Sequence, residues 1–264
     1  MLIQTLFNEK KTVSLSVSLF GAQITAGEIN GNQIFYLSKT TTLEGPLPIR
    51  GGAPVCFPHF GKGTMMPDGL ERKPSHGEVR QQIWEIKEKT NSRLVLFLSS
   101  SSMTQNLETE ITYETLEDEI TAQWTVTNNS NEPVTFQAAL HSYFNVSHVH
   151  DVKIKGLGNS YLDNLFNLSR KDDSPEIFSA SPTPIDRVYL TPQPEIEIAD
   201  AQRVIRLMHK GFFNSVVWNP GIDHTLKDLS SWQNFICVES CAVTPASIIL
   251  PNDVWQGSLS LSVL

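Results

Sequence analysis

Two ionisable side chains sit where apolar runs end. His141 directly follows the alternating stretch Val134 to Leu140, and Glu239 follows Phe235-Ile-Cys-Val238, which reads as a buried strand. A histidine beside a core strand is commonly a satisfied structural group. A carboxyl at the end of a buried strand is harder to dismiss, because it must find a partner or shift its pKa. Proton transfer is the chemistry that these two side-chain types share.

Two arginines stand in unusual company. Pro48-Ile-Arg-Gly-Gly-Ala-Pro-Val-Cys-Phe-Pro-His-Phe-Gly61 combines a cation, a glycine pair, three prolines and two phenylalanines. Glycines open backbone angles closed to other residues and prolines fix theirs, so Arg50 is expected to be held rather than left to wander. Downstream, Ser75-His-Gly-Glu-Val-Arg80 brings Ser75, His76 and a second arginine just ahead of a strand-like run. Two arginines facing one cavity can grip a phosphate through charge-assisted, bidentate hydrogen bonds. The plainer readings are a loop that packs beneath a sandwich and an Arg80 paired with Glu78 or Glu85 on the surface.

Other chemistries lack their signatures. His148-Val-His150 could offer two metal ligands, but no matching carboxylate or cysteine motif accompanies it, so no metal is expected. Cys56, Cys237 and Cys241 are too few and too unevenly placed for a disulfide framework. No dinucleotide, P-loop or serine-hydrolase motif is present, and no cofactor is implied. The net charge of −8 argues against nucleic-acid or anionic-membrane surfaces, which need basic patches. Residues 1–11 do not read as a signal peptide and no stretch of about 18 apolar residues occurs, so a cytoplasmic protein is expected.

The elements that must position these residues read as strands. Val13, Leu15, Val17 and Leu19 alternate with Thr12, Ser14, Ser16 and Ser18, the period-two pattern of a half-buried strand. Runs from Leu107 to Glu114, Ile120 to Thr127 and Val134 to Leu140 continue it with polar turns between, as in an antiparallel meander. Further β-branched or aromatic runs fall at Gln33 to Leu37, Leu94 to Leu98, Ser215 to Trp218 and Phe235 to Val238, and the chain ends on Leu259, Leu261 and Val263 among serines. So many short strands predict an all-β sandwich, one domain over residues 1–264, with at most a short helix near residues 223–232. Residues 38–82 and 159–194, rich in Gly, Pro, Ser and Asp, are expected to be functional loops.

Six motifs taken in order, Arg50-Gly-Gly-Ala-Pro-Val-Cys-Phe-Pro, His76-Gly-x-x-Arg80, Leu140-His-Ser-Tyr-Phe, Asp186-Arg-Val-Tyr189, Val216-Val-Trp-Asn-Pro220 and Cys237-Val-Glu239, resemble the hexose-6-phosphate branch of the aldose 1-epimerase superfamily. The resemblance implies a galactose-mutarotase-like β-supersandwich of large antiparallel sheets that interconverts the α and β anomers of an aldohexose 6-phosphate. By the same resemblance His141 matches the general acid and Glu239 the general base. Arg50 and Arg80 match phosphate-binding arginines, Ser75 and His76 lie in a substrate-binding motif, and Asp186 matches a carboxylate on the sugar hydroxyls. Glu78 and Val79 stand where the family commonly has an aromatic and a small residue, and Ser75 where a Gln is frequent.

The implied chemistry removes a proton from the O1 hydroxyl and delivers one to the ring oxygen. It asks for a histidine whose pKa a neighbouring carboxylate holds up and a glutamate that stays ionised. Trp218, Phe57 and Phe144 are candidate platforms for the sugar face, and core residues by the plainer reading. The expected partner is a sugar phosphate bound by a monomer. Three alternatives stay open: an epimerase of free hexoses, a sugar-phosphate-binding protein without catalysis, and, more remotely, a glycoside hydrolase using two carboxylates.

Overall fold

In the computed structural model, residues 2–99, 106–180 and 184–264 are described, and their architecture follows from the alternation. Leu107–Thr115 and Ile120–Asn128 pair antiparallel over nine residues, with Ile111 opposite Trp124 and Tyr113 opposite Ala122. These inward residues are fully or almost fully buried, while Glu108, Glu110, Glu114, Thr121, Gln123, Thr125 and Thr127 between them are partly or fully exposed. Among the described residues this meander belongs to a nine-stranded antiparallel sheet that also takes in Arg93–Leu98, Val254–Val263 and Val204–Lys210.

An eight-stranded sheet packs against it. Its spine is Phe235–Ile249, flanked by Val134–Leu140 on one side and Asn214–Asn219 on the other, with Ile185–Tyr189 next in order. Phe136 of this sheet meets Trp255 of the nine-stranded sheet at 5.5 Å between ring centroids, and Phe57 meets Trp124 at 5.8 Å. One apolar cluster runs from Leu6 to Leu261, so both sheets share a core. The first strands, Ile3–Phe7, Val13–Ser18 and Gln23–Ile29, form part of a separate four-stranded sheet.

Several expectations need correcting. Residues 159–194 are not structureless: Tyr161–Asp163, Ser169–Lys171, Ile177–Ser179 and Ile185–Tyr189 are strands, with 181–183 outside the described residues. The short helix expected over residues 223–232 does not form; only its last residue enters a helical turn, Trp232–Asn234. The Phe235 strand runs to Ile249, far beyond Val238. Residues 38–82 do stay largely irregular, broken by Val55–Cys56 and the turn Val79–Gln81.

Candidate active site

Strand register gathers the polar residues on one face of the eight-stranded sheet. Cys237 and Glu239 are two apart on the spine strand and so project to the same side. Val216 lies opposite Glu239, Trp218 opposite Cys237, and Asp186 opposite Trp218 on the next strand. His141 leaves the end of Val134–Leu140 with its N–H bonded to the carbonyl of Pro54.

The outcome is a histidine and a glutamate in contact. His141 Nδ1 lies 3.3 Å from Glu239 Oε1, with the side chains 8% and 1% exposed. Nδ1 of His141 and Oε2 of Glu239 nonetheless have no hydrogen-bond partner. Tyr143 stacks on the imidazole at 4.9 Å and 10°, and Trp218 meets it edge-on at 6.0 Å. His76 closes another side at 5.2 Å.

Burial dominates the electrostatics, and it reverses the protonation states expected above. It pushes Glu239 well above the usual carboxylate range, with Asp186 adding to the shift. It pushes His141 down to about 3, with the charges of Arg50 and Arg80 working in the same direction. Burial thus favours a neutral imidazole beside a carboxylic acid, with Nδ1 and Oε1 3.3 Å apart. Moving the carboxyl proton across the contact yields the charged tautomer.

The loop that carries Arg50 is tied down from several sides. Gln23 donates to the carbonyls of Ile49 and Gly51, and the Arg50 N–H donates to Thr41. Gly52 has φ +64°, and a Cβ there would lie 1.8 Å from the carbonyl oxygen of Ile24, so only glycine lets the loop lie this close. The guanidinium is already engaged: Nε donates to Asp228 at 2.9 Å and Nη1 to the Tyr143 hydroxyl at 3.3 Å. Burial opposes its charge, but Tyr143 and Asp228 outweigh this and raise its pKa.

Arg80 sits in the turn Val79–Gln81 with a buried Nε that no acceptor reaches. Burial lowers its pKa, and Arg50 opposes its charge from nearby. The two cations thus share one neighbourhood, with a free buried donor on the second.

The segment before Arg80 is sharply bent. His76 adopts φ +66°, unusual for a residue with a side chain, and its Nδ1 accepts the N–H of Gly61. Its pKa lies well below the ordinary histidine value because it is buried beside His141 and the arginines. Ser75, by contrast, is exposed on the turn, and no contact joins it to the cluster. Asp186 is present at the edge: it accepts from Asn164 at 2.7 Å, and burial raises its pKa.

Of the three candidate platforms, only Trp218 remains. Phe57 and Phe144 are wholly buried, the first among Trp124 and Phe136 and the second stacked on Phe35. Tyr143 and Asp228 went unnoticed in the sequence. Tyr143 could have been found, since it lies two residues beyond His141 in the quoted motif. Asp228 sits 178 residues from its arginine in an unpatterned loop and carries no such signal.

Solved structures define the class first. A provisionally named mutarotase from Salmonella typhimurium superposes with a TM-score of 0.82 at 27% identity, covering 96% of this chain and 87% of that one. A galactose mutarotase-like protein from Lactobacillus casei matches in fold, with a TM-score of 0.79 at 15% identity over 99% and 100% of the two chains. The aldose 1-epimerase family pattern matches residues 4–262, and the chain belongs to that family of isomerases. A Salmonella typhimurium relative, provisionally named a glucose-6-phosphate 1-epimerase, is 31% identical over 88% of this chain and 81% of its own length.

Proposed function

We propose that this epimerase interconverts the anomers of an aldohexose 6-phosphate through the His141–Glu239 pair. The observation that carries the acid and base assignment is the buried contact at 3.3 Å, which puts a proton donor and a proton acceptor side by side. Glu239 as carboxylate takes the O1 proton while His141 delivers one to the ring oxygen. The C1–O5 bond breaks, rotation about C1–C2 presents the other aldehyde face, and closure reverses both transfers. With substrate in place, Glu239 passes its proton to His141, which gives the charged tautomer that this step uses. Catalytic hydrogen bonds often align only with substrate in place, which accommodates the poor alignment of the resting contact.

Supporting the phosphate are the unpartnered Nε of Arg80, its proximity to Arg50, and the names of the relatives. His76 and Asp186 flank the pair, and Trp218 offers its ring to the apolar sugar face. Ser75 faces solvent and reaches a ligand only through water. The common core from Leu6 to Leu261 supports one domain.

One observation favours a second reading, an epimerase of free hexoses: Asp228 already neutralises Arg50. Relaxation of α-glucose 6-phosphate and of free α-glucose to anomeric equilibrium, followed by NMR exchange, separates the two. The phosphate ester should be accelerated more. His141→Ala and Glu239→Gln should each lose about a hundred- to ten-thousand-fold in rate. Preference for the free sugar would replace the substrate assignment, and acceleration surviving in both variants would remove the catalytic one.

A further inference from the structure

A cavity of about 560 Å³ beside Lys155, Asn159 and Glu195 and one of about 650 Å³ beside Tyr36 and Ser230 contain no unpartnered buried group that singles out a ligand. Cys237 differs. Its thiol is completely buried on the same strand face as Glu239, and epimerisation needs no sulfur there.

We propose that His141, Cys237 and Glu239 form an inhibitory binding site for a thiophilic divalent cation of the Zn²⁺ type. Their donor atoms, an imidazole nitrogen, a sulfur and a carboxylate oxygen, all lie within 4.8 Å of one another. Zinc bonds of about 2.0 Å to nitrogen and oxygen place two such donors of a tetrahedral site roughly 3.3 Å apart. His141 Nδ1 and Glu239 Oε1 are 3.3 Å apart. A sulfur about 2.3 Å from the metal belongs roughly 3.5 Å from its fellow ligands, and the Cys237 sulfur lies within 4.8 Å of both.

Two independent features point inward to such a ligand. His141 Nδ1 and Glu239 Oε2 are buried atoms without a hydrogen-bond partner, a condition that costs free energy until something fills it. Charge also balances: thiolate and carboxylate together carry the two negative charges that a divalent cation brings to neutrality. Binding releases the thiol proton and the carboxyl proton to solvent, and water completes the fourth position. The nearby cations Arg50 and Arg80 oppose the ion, which separates an inhibitory site from a permanent structural one.

A bound cation would occupy both groups assigned to proton transfer, so it competes with sugar. The competition rests on the proposed function, whereas metal binding does not. Co²⁺ is the probe, because a cobalt–thiolate bond gives a near-ultraviolet charge-transfer band whatever the enzyme's activity. The expected result is a band in the wild type and in Cys241→Ser, lost in Cys237→Ser, with Zn²⁺ displacing the cobalt. Zn²⁺ affinity should fall in Cys237→Ser by more than the roughly 10- to 100-fold that loss of an outer-shell partner costs.

No band in the wild type, or a band that persists in Cys237→Ser, overturns the proposal. If Cys237→Ser fails to fold by circular dichroism, Glu239→Gln takes its place: it keeps the thiol, and its Zn²⁺ affinity should still drop. Displacement of Co²⁺ by glucose 6-phosphate is expected. A metal that binds but is displaced by neither that ester nor free glucose overturns the inhibitory role, and one displaced by free glucose but not by the ester counts against the substrate assignment alone.

Discussion

At the scale of single residues, the pairing of Arg50 with Asp228 sets a measurable limit on anion binding. The guanidinium meets the carboxylate at 2.9 Å, and the aspartate side chain is 42% exposed. A pair so open to solvent is worth no more than about 1 kcal/mol, so a substrate phosphate can displace Asp228 at a cost of about fivefold in affinity. Asp228→Asn should lower KM for the phosphate ester by up to that factor and leave KM for free glucose unchanged. Steady-state anomerisation with both sugars checks this, and a higher KM for the ester would mean that Asp228 aims Arg50 rather than competes for it. Local motifs made His141, Glu239, Arg50 and Arg80 visible in the sequence. Asp228 was invisible because its meaning comes from a partner 178 residues away, and the reversed protonation states were invisible because they depend on how deeply the fold buries the pair.

At the scale of elements, one irregular strand holds the site loop. The register of Val134–Leu140 against its neighbour shifts between Phe136 and Ala138, a bulge that leaves Gln137 outside the regular pairing. Gln137 is wholly buried, its Nε2 donating to the Val243 carbonyl and its Oε1 accepting the Phe60 N–H. Phe60 in turn packs edge-on against His76 at 4.9 Å. Gln137→Leu should strand two buried backbone groups and cost about 2–4 kcal/mol in denaturant unfolding. Gly77→Ala should act on the same loop from the other end, since its Cβ would lie 1.9 Å from the Phe57 carbonyl at φ +76°. It is expected to be destabilised and, because His76 and Arg80 flank it, to lose sugar-phosphate affinity; an unchanged melting temperature and KM would show that the turn relaxes freely. The alternation that exposed the long meander strands could not expose Tyr161–Asp163 or Ser169–Lys171, because three residues are too few to display a period. The Phe235–Ile249 strand was read only as far as Val238 because the next residues, Glu239 and Ser240, are polar yet buried, which breaks the pattern where the site lies.

At the scale of the whole molecule, buried proton sites should shape stability as a dome in pH. Burial raises Glu239 and lowers His141, so the folded pair keeps one proton until pH reaches the raised Glu239 pKa. The unfolded chain holds none on these two groups above the free histidine pKa of about 6.5 and one below it. The folded state therefore carries the excess proton above about pH 6.5, and stability falls as pH rises there. The acid limb has different owners: His59, His76 and His209 have pKa values lowered chiefly by burial. Both states are neutral at these rings above about pH 6.5, whereas below it only the unfolded chain takes up their protons, so stability falls with falling pH. These lowered rings steepen the acid limb, which the raised Asp186 partly offsets. Guanidinium unfolding across pH 5 to about 7.5, below the range in which the three buried thiols add a loss of their own, should accordingly peak near neutrality. Glu239→Gln should flatten the alkaline limb while the acid limb remains, and His209→Gln, whose ring lies between Ser240 and the Gln193 carbonyl, should reduce the acid slope alone. An alkaline limb unchanged in Glu239→Gln would show that the folded pair holds no extra proton, and with it would go the resting state from which the proton transfer was argued.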